Sequence, residues 1–362
     1  MRMKFRALTV LALVSLVAAA CGSKPSNNQG AGSSGGSANS KFLACQVTDT
    51  GGIDDRSFNA TAWKGMQDAQ SQLGVQVKFL ESTTSNDYTP NLQTFVQQKC
   101  GLIVTVGFLL GDATKASAKS NPNQKYAIVD FGYKPSEVPN NNVLGLTFST
   151  DQAAFLAGYV AAAMSKTGKL GTFGGIKLPT VTIFMDGFWA GIKYYNKQNN
   201  AKVQLLGWDA LKQNGLFTGD FTNQDNGKRV TETLLGEGAD IILPVAGPVG
   251  LGAAAAVKAA GAGKHMVWVD TDGCVSAQQF CSLFLTSIEK HMDVAVQTSI
   301  KSAVDNQFKG GTYVGTLQNN GVGIAPFHDF DSQVPQKVKN DLDTIKQGII
   351  SGSISVKPQD YK

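Results

Sequence analysis

Three aspartates, Asp49, Asp130 and Asp270, each follow a short apolar run: Phe42–Thr48, YAIV at 126–129 and VWV at 267–269. A carboxylate can accept hydrogen bonds from two hydroxyls at once. Several such groups gathered at one mouth would suit a neutral, polyhydroxylated ligand. Aromatic residues stand close to the ends of these and similar runs: Phe58, Phe108, Phe131, Phe188, Trp208, Phe217 and Phe221. A flat ring carrying hydroxyls, such as a nucleoside, would use both sets. The competing reading makes each aspartate a helix cap and each aromatic a core residue. At any one position the two readings balance, whereas the recurrence of Asp at run ends favours the ligand.

Catalytic chemistry has little to build on. The only histidines are His265, His291 and His328, few for acid–base or metal work. No G-x-x-x-x-G-K-[ST] phosphate loop occurs. Gly51-Gly52 is flanked by Asp49, Asp54 and Asp55, which would repel a phosphate. Asp54 and Asp55 are adjacent, and two-carboxylate hydrolysis needs opposed groups. GSSGG at 32–36 matches G-x-S-x-G in letters only, since no strand or helix pattern surrounds it. The expectation is a binding protein: not an enzyme, with no cofactor and no metal.

The elements that must position these residues alternate along the chain. Strand patterns fall at 42–48, 75–80, 101–107, 126–130 and 143–147, with helical patterns at 57–73, 92–98, 113–118 and 151–164. A second series follows, with strands at 169–173, 202–207, 240–244 and 265–270 and helices at 180–196, 226–237 and 250–260. Such alternation predicts α/β architecture, two similar lobes each with a parallel, doubly wound sheet. Runs such as IVTV and DIILPVAG are nearly continuous in apolar residues, as strands covered on both faces should be. Ligands bind at the carboxyl ends of strands in such sheets, which is where the aspartates lie.

The beginning of the chain reads differently. Arg2, Lys4 and Arg6 precede an apolar stretch, Ala7–Ala20, that ends in Ala18-Ala19-Ala20-Cys21. This is a secretory signal over residues 1–20, too short for a comfortable transmembrane helix. Cys21 in that position resembles the lipidated cysteine of a bacterial lipobox, with Ala18 where Leu is usual. Residues 22–40 are rich in Gly, Ser, Asn and Ala, a flexible tether with a reach of roughly 25 Å. The expectation is a lipid-anchored domain on the extracytoplasmic face of the cell membrane. The 362 residues carry a formal charge of +5. Loss of residues 1–20, with three cations and no acid, lowers it to +2. No Lys/Arg-rich block of the kind nucleic acid requires is present. Four cysteines remain in the body. Cys274 and Cys281 are spaced for a local staple, whereas Cys45 and Cys100 could bridge neighbouring strands or stay as buried thiols. The spacings fit no zinc motif.

DTGGIDDRSFNATAWKGM at 49–66 resembles the signature of the basic membrane protein family of bacterial lipoproteins. Further similar stretches are YAIVDF at 126–131, FLAGYVAAAMSKTGKLGTFGG at 155–175, FMDGFWAGIKYYN at 184–196, EGADIILPVAGPVGLGAAAAVK at 237–258, VWVDTD at 267–272, LTSIEKHMDVAV at 285–296 and GVGIAPF at 321–327. The resemblance implies a type I periplasmic-binding-protein fold serving a nucleoside-uptake ABC transporter, of the purine-binding type. It implies that Asp49 bonds the ligand, Phe58 stacks on the base with Asn59 nearby, and Asp130 meets the base edge. Gly247 would admit backbone to the sugar, Asp270 would accept ribose hydroxyls, and Lys290 would reach the sugar from the far side. Phe221 would be the second stacking ring, with Phe217 and Trp208 as rivals; the segment 208–219 is longer than the family's usual form. The lobes would comprise 41–148 with about 271–323, and 149–270 with about 324–362, hinged near 148–150, 270 and 323–325. Expected partners are the ligand, a permease and, through Cys21, the membrane, for a monomeric protein. The alternatives are a sugar or other small polar ligand, or a ligand-sensing lipoprotein that does not transport.

Overall fold

The computed structural model describes residues 39–138 and 141–362. The signal segment, Cys21 and the tether up to residue 38 lie outside the described residues. The first series runs β1 (Leu43–Thr48), α1 (Phe58–Leu73), β2 (Gln76–Leu80), α2 (Tyr88–Gln97), β3 (Leu102–Val106), α3 (Gly111–Ser120), β4 (Tyr126–Val129) and β5 (Val143–Phe148). The second runs α4 (Thr150–Met164), β6 (Lys169–Gly174), α5 (Pro179–Asn199), β7 (Gln204–Leu206), the small hairpin β8 (Trp208–Asp209) and β9 (Asn214–Gly215), α6 (Gln224–Gly236), β10 (Ile241–Val245), α7 (Val249–Ala260) and β11 (His265–Asp270). The chain ends with α8 (Gly273–Ser276), β12 (Phe284–Lys290), α9 (Met292–Val304), β13 (Gly311–Gly315), β14 (Val322–Ile324) and α10 (Gln336–Ser351).

Two six-stranded sheets result, in the orders β13-β5-β4-β3-β1-β2 and β14-β12-β11-β10-β6-β7. All pairings are parallel except that of β12 with β14, which is antiparallel. The interior strands β3 and β10 are buried at every residue, whereas the edge strand β2 is buried at none. That difference is why LIVTV and IILPV are nearly continuous in apolar residues and QVKFL is not. Pro244 lies within β10, and the ladder from β10 to β11 covers only Ile241 and Ile242. Proline has no N–H to donate, so the two strands part company towards their carboxyl ends.

The lobe boundaries expected from the sequence need correction. Residues 271–290 belong with the second sheet: β12 pairs with β11 in parallel from Phe284 to Glu289. Only the stretch holding α9 and β13 returns to the first lobe, α9 packing on α1 and β13 pairing with β5. The chain therefore crosses between lobes at 148–150, at 290–292 and between 315 and 322, not at 270. The segment 271–283, which contains α8, joins β11 to its parallel neighbour β12, and the Cys274–Cys281 disulfide lies within it. The second bridge, Cys45–Cys100, ties β1 to the residue preceding the turn into β3.

Helices cover both faces. α4 is buried on nearly every side and packs closely on α5. A Cβ at Gly158 would lie 2.1 Å from the Phe188 carbonyl oxygen, and one at Gly191 would lie 2.0 Å from that of Phe155. The small residues of FLAGY and FWAGI are what allow two backbones to meet. Among the described residues no helix is long and apolar enough to cross a membrane.

Candidate ligand-binding cleft

The two sheets are built alike. Strand by strand, β5-β4-β3-β1-β2 corresponds to β12-β11-β10-β6-β7. Asp130, just after β4, and Asp270, at the end of β11, therefore hold equivalent places in the two lobes. Both have left-handed backbone, with φ of +62° and +72°, a conformation Asp tolerates better than most residues. Lys290, at the end of β12, lies between them, its Nζ 2.8 Å from Asp130 Oδ2 and 3.2 Å from Asp270 Oδ1. It is 2% exposed. Burial by itself would lower the lysine pKa, but the two carboxylates outweigh that effect and hold it above its usual value. The cation also sits over the rings of Phe58, at 4.6 Å, and Phe184, at 5.2 Å.

Asp49, at the end of β1, accepts from Asn59 Nδ2 at 2.8 Å and from the Gly51 backbone N–H at 3.2 Å. Burial pushes its carboxyl above the usual carboxylate range, the bonds from Asn59 and Gly51 opposing, with Asp130 and Asp270 adding to the rise. Gly107 faces it from the end of β3 with φ +119°, and a Cβ there would come within 2.6 Å of Asp49 Oδ2. Asp55 takes the N–H groups of Ser57, Asn59 and Ala60, at 3.0, 2.7 and 3.0 Å. It thus caps α1 from outside the helix. Burial raises its pKa to about 7 against the pull of those three bonds.

These groups share one cavity at the carboxyl ends of both sheets, about 580 Å³ out to its open mouth. Of the residues expected from the sequence, Asp49, Phe58, Asp130, Phe221, Gly247, Asp270 and Lys290 line it. Asn59 does not; it is buried behind Asp49 and orients that carboxylate. Phe217 and Trp208 are not in the lining either. They pack edge-on at 5.9 Å, and the Trp208 indole donates to Asp186 at 2.9 Å. Apart from Asp55 and Thr180, the rest of the wall is mainly apolar: Phe108, Leu109, Leu178, Val181, Phe184 and Val245 among others. Phe184 was not singled out from sequence. It sits one helical turn before Phe188, which is fully buried beside α4. The signal available was the start of α5 just after a strand end, a place where side chains turn into a cleft. From sequence Asp55 reads as a phosphate-repelling or catalytic carboxylate, whereas its position two residues before the N-cap Ser57 makes it a cap. Among the described residues the only grouping of three metal-type donors is Asp272, Cys274 and His328. None lines the cavity, and Cys274 is in a disulfide.

The sequence model of the family described as ABC transporter substrate-binding protein, PnrA-like, matches residues 42–360. The chain belongs to that family. Its relatives include the ABC transporter nucleoside-binding protein BmpA of Lactococcus lactis, 30% identical over 98% of this chain and 99% of that protein. Basic membrane protein A2 of Borrelia garinii is 32% identical over 89% of this chain and 90% of its own length. Among solved structures, an ABC transporter solute-binding protein from Aeropyrum pernix K1 superposes with a TM-score of 0.76 at 26% identity, covering 87% of this chain and 92% of that one. One from Conexibacter woesei, at 19% identity and TM-score 0.65, covers 86% and 98% and shows the fold alone. The family resemblance and the type I periplasmic binding fold expected from the sequence are both upheld.

Proposed function

We propose that this substrate-binding protein captures a nucleoside, a purine nucleoside first of all, between its lobes. It acts as a monomer and hands the ligand to an ABC permease while held to the outer face of the membrane by a lipid on Cys21. The observation that carries this reading is the composition of the cavity at the carboxyl ends of the two sheets. Asp49, Asp130, Asp270 and Lys290 supply acceptors and a cation, while Phe58, Phe108, Phe184 and Phe221 supply flat apolar surface. Stacking on an aromatic ring is worth about 1–3 kcal/mol per base. Acceptors buried for hydroxyls penalise any ligand that lacks them, because they would be left unpaired. Four carboxylates line the cavity with Lys290 as its one cation, a balance that disfavours phosphorylated forms. The nucleoside-binding relative of Lactococcus lactis supports the same ligand class.

The deciding experiment is native mass spectrometry of the purified protein, followed by calorimetric titration with adenosine, guanosine, inosine, cytidine and ribose. Tight 1:1 binding of purine nucleosides is expected. Binding of ribose but of no nucleoside would replace this reading with a sugar-binding one. Incubation with inosine should release no hypoxanthine. Cys21→Ser should shift the protein from the membrane fraction to the soluble one.

A further inference from the structure

Side-chain hydrogen bonds span the cleft at two points. One is Lys290 to Asp130. At the other, Ser57 Oγ, on the first lobe just before α1, donates to Asp270 Oδ2 on the second lobe at 2.6 Å, and it also lies 3.3 Å from the Val269 carbonyl oxygen. Ser57 is fully buried yet absent from the cavity lining. Its backbone is fixed on both sides: its N–H donates to Asp55 Oδ1 at 3.0 Å and its carbonyl accepts from Thr61 N–H at 3.1 Å. The hydroxyl is therefore delivered to Asp270 by a rigid frame and not by a mobile side chain.

We infer that Ser57 is the closure residue of this protein: a positioning residue that touches no ligand but joins the lobes through Asp270. Three points lead there. First, Asp270 is engaged at both oxygens, Oδ1 by Lys290 from its own lobe and Oδ2 by Ser57 from the other. The plane of this carboxylate is thus set only when the lobes are together. Second, a hydrogen bond to an ionised acceptor is about twice as strong as a neutral one. Third, parting the lobes must break the Ser57–Asp270 bond, because its two partners belong to different sheets. Opening would leave Asp270 held by Lys290 alone. A ligand group on Asp270 and the hydroxyl of Ser57 then favour the same closed arrangement, and that shared preference is the requirement for coupling. Ser57 should accordingly govern how slowly ligand leaves, and not how fast it arrives, since ligand enters the open form.

The kinetic half of the test rests on the nucleoside reading. Stopped-flow tryptophan fluorescence with inosine should show koff raised about tenfold in Ser57→Ala, with kon within about twofold of wild type. Ser57→Cys, nearly isosteric but a poor donor, should fall between the two. An unchanged thermal midpoint in either variant separates this effect from loss of fold. An unchanged koff in both variants overturns the inference, as does a fall in kon that accounts for the whole loss of affinity. If wild type binds no nucleoside, the functional reading fails and Ser57 is judged separately. Small-angle scattering of the ligand-free Cys21→Ser chain should then give a larger radius of gyration when Ser57→Ala is added. Equal radii overturn the inference.

Discussion

Taking the ammonium from Lys290 would leave Asp130 and Asp270 at the heart of the cleft with no cation between them. Breaking a buried ion pair from one side costs about 3–5 kcal/mol, because the remaining charge is uncompensated. Lys290→Met should therefore lower the unfolding free energy by about that amount at pH 7, measured by urea denaturation. The loss should shrink at acid pH, where the orphaned carboxylates are neutralised by protons. Asp55 provides a second pH effect. Its folded pKa is raised to about 7, above the ordinary 3.8, chiefly by burial. A carboxylate raised in the folded state binds protons more tightly there, so its contribution is complete below pH 4 and is lost as pH climbs through 7. Relative to Asp55→Asn, which cannot ionise, wild type should lose up to about 4 kcal/mol between those limits. Melting curves for both proteins across pH 4–8 would show the converging or diverging stabilities directly. Residue types at strand ends picked out Asp49, Asp130 and Asp270, because parallel sheets place those positions at one mouth, whereas the roles of Phe58, Phe221, Gly247 and Lys290 came from the family resemblance. Ser57 and Phe184 carried no comparable mark, since a serine before a helix and a phenylalanine inside one have ordinary structural explanations.

At the scale of elements, the α4–α5 pair is the most extensive contact between helices in the second lobe. Gly158 and Gly191 sit against carbonyl oxygens of the opposite helix, at hypothetical Cβ distances of 2.1 and 2.0 Å. Alanine at either site gains about 1 kcal/mol of helix propensity. The added methyl meets backbone, however, and two helices must move apart to admit it, at a cost that reaches about 3 kcal/mol or more. Overpacking wins. Gly158→Ala should be destabilising by about 2 kcal/mol in chemical denaturation, and Gly158→Ala with Gly191→Ala less than additive, since one separation serves both. The element that sequence patterning misplaced was β12. LTSIEK is a buried strand, but the alternation of two series ends with β11, and a return to the first lobe looked natural there. Sheet membership decides otherwise: the disulfide-bridged segment 271–283 carries the chain back so that β12 pairs in parallel beside β11.

On the scale of the whole molecule, three chain crossings join two lobes that share Lys290, Asp130 and Asp270 at their common mouth. Closing such a cleft removes the ligand from water and presents a defined surface to a partner. Saturating nucleoside should lower the radius of gyration in small-angle scattering relative to ligand-free protein. It should also raise the thermal midpoint, because ligand binds only the folded chain. The formal charge of +5 has no counterpart in the cleft, where acidic groups prevail.

The sequence by itself determined the fold class, the family and the kind of residue at each strand end. These are local matters: apolar periodicity follows from how strands and helices bury their faces, and the Asp49–Met66 motif is contiguous. The tertiary structure decided what depends on distance between remote parts of the chain. It placed β12 with the second sheet, chose Phe221 over Phe217 and Trp208 for the cavity, and set Asn59 behind Asp49. It also brought Ser57 to Asp270 across 213 positions of sequence. No local pattern encodes such a meeting, because it arises only when two separately formed sheets present their carboxyl ends to each other.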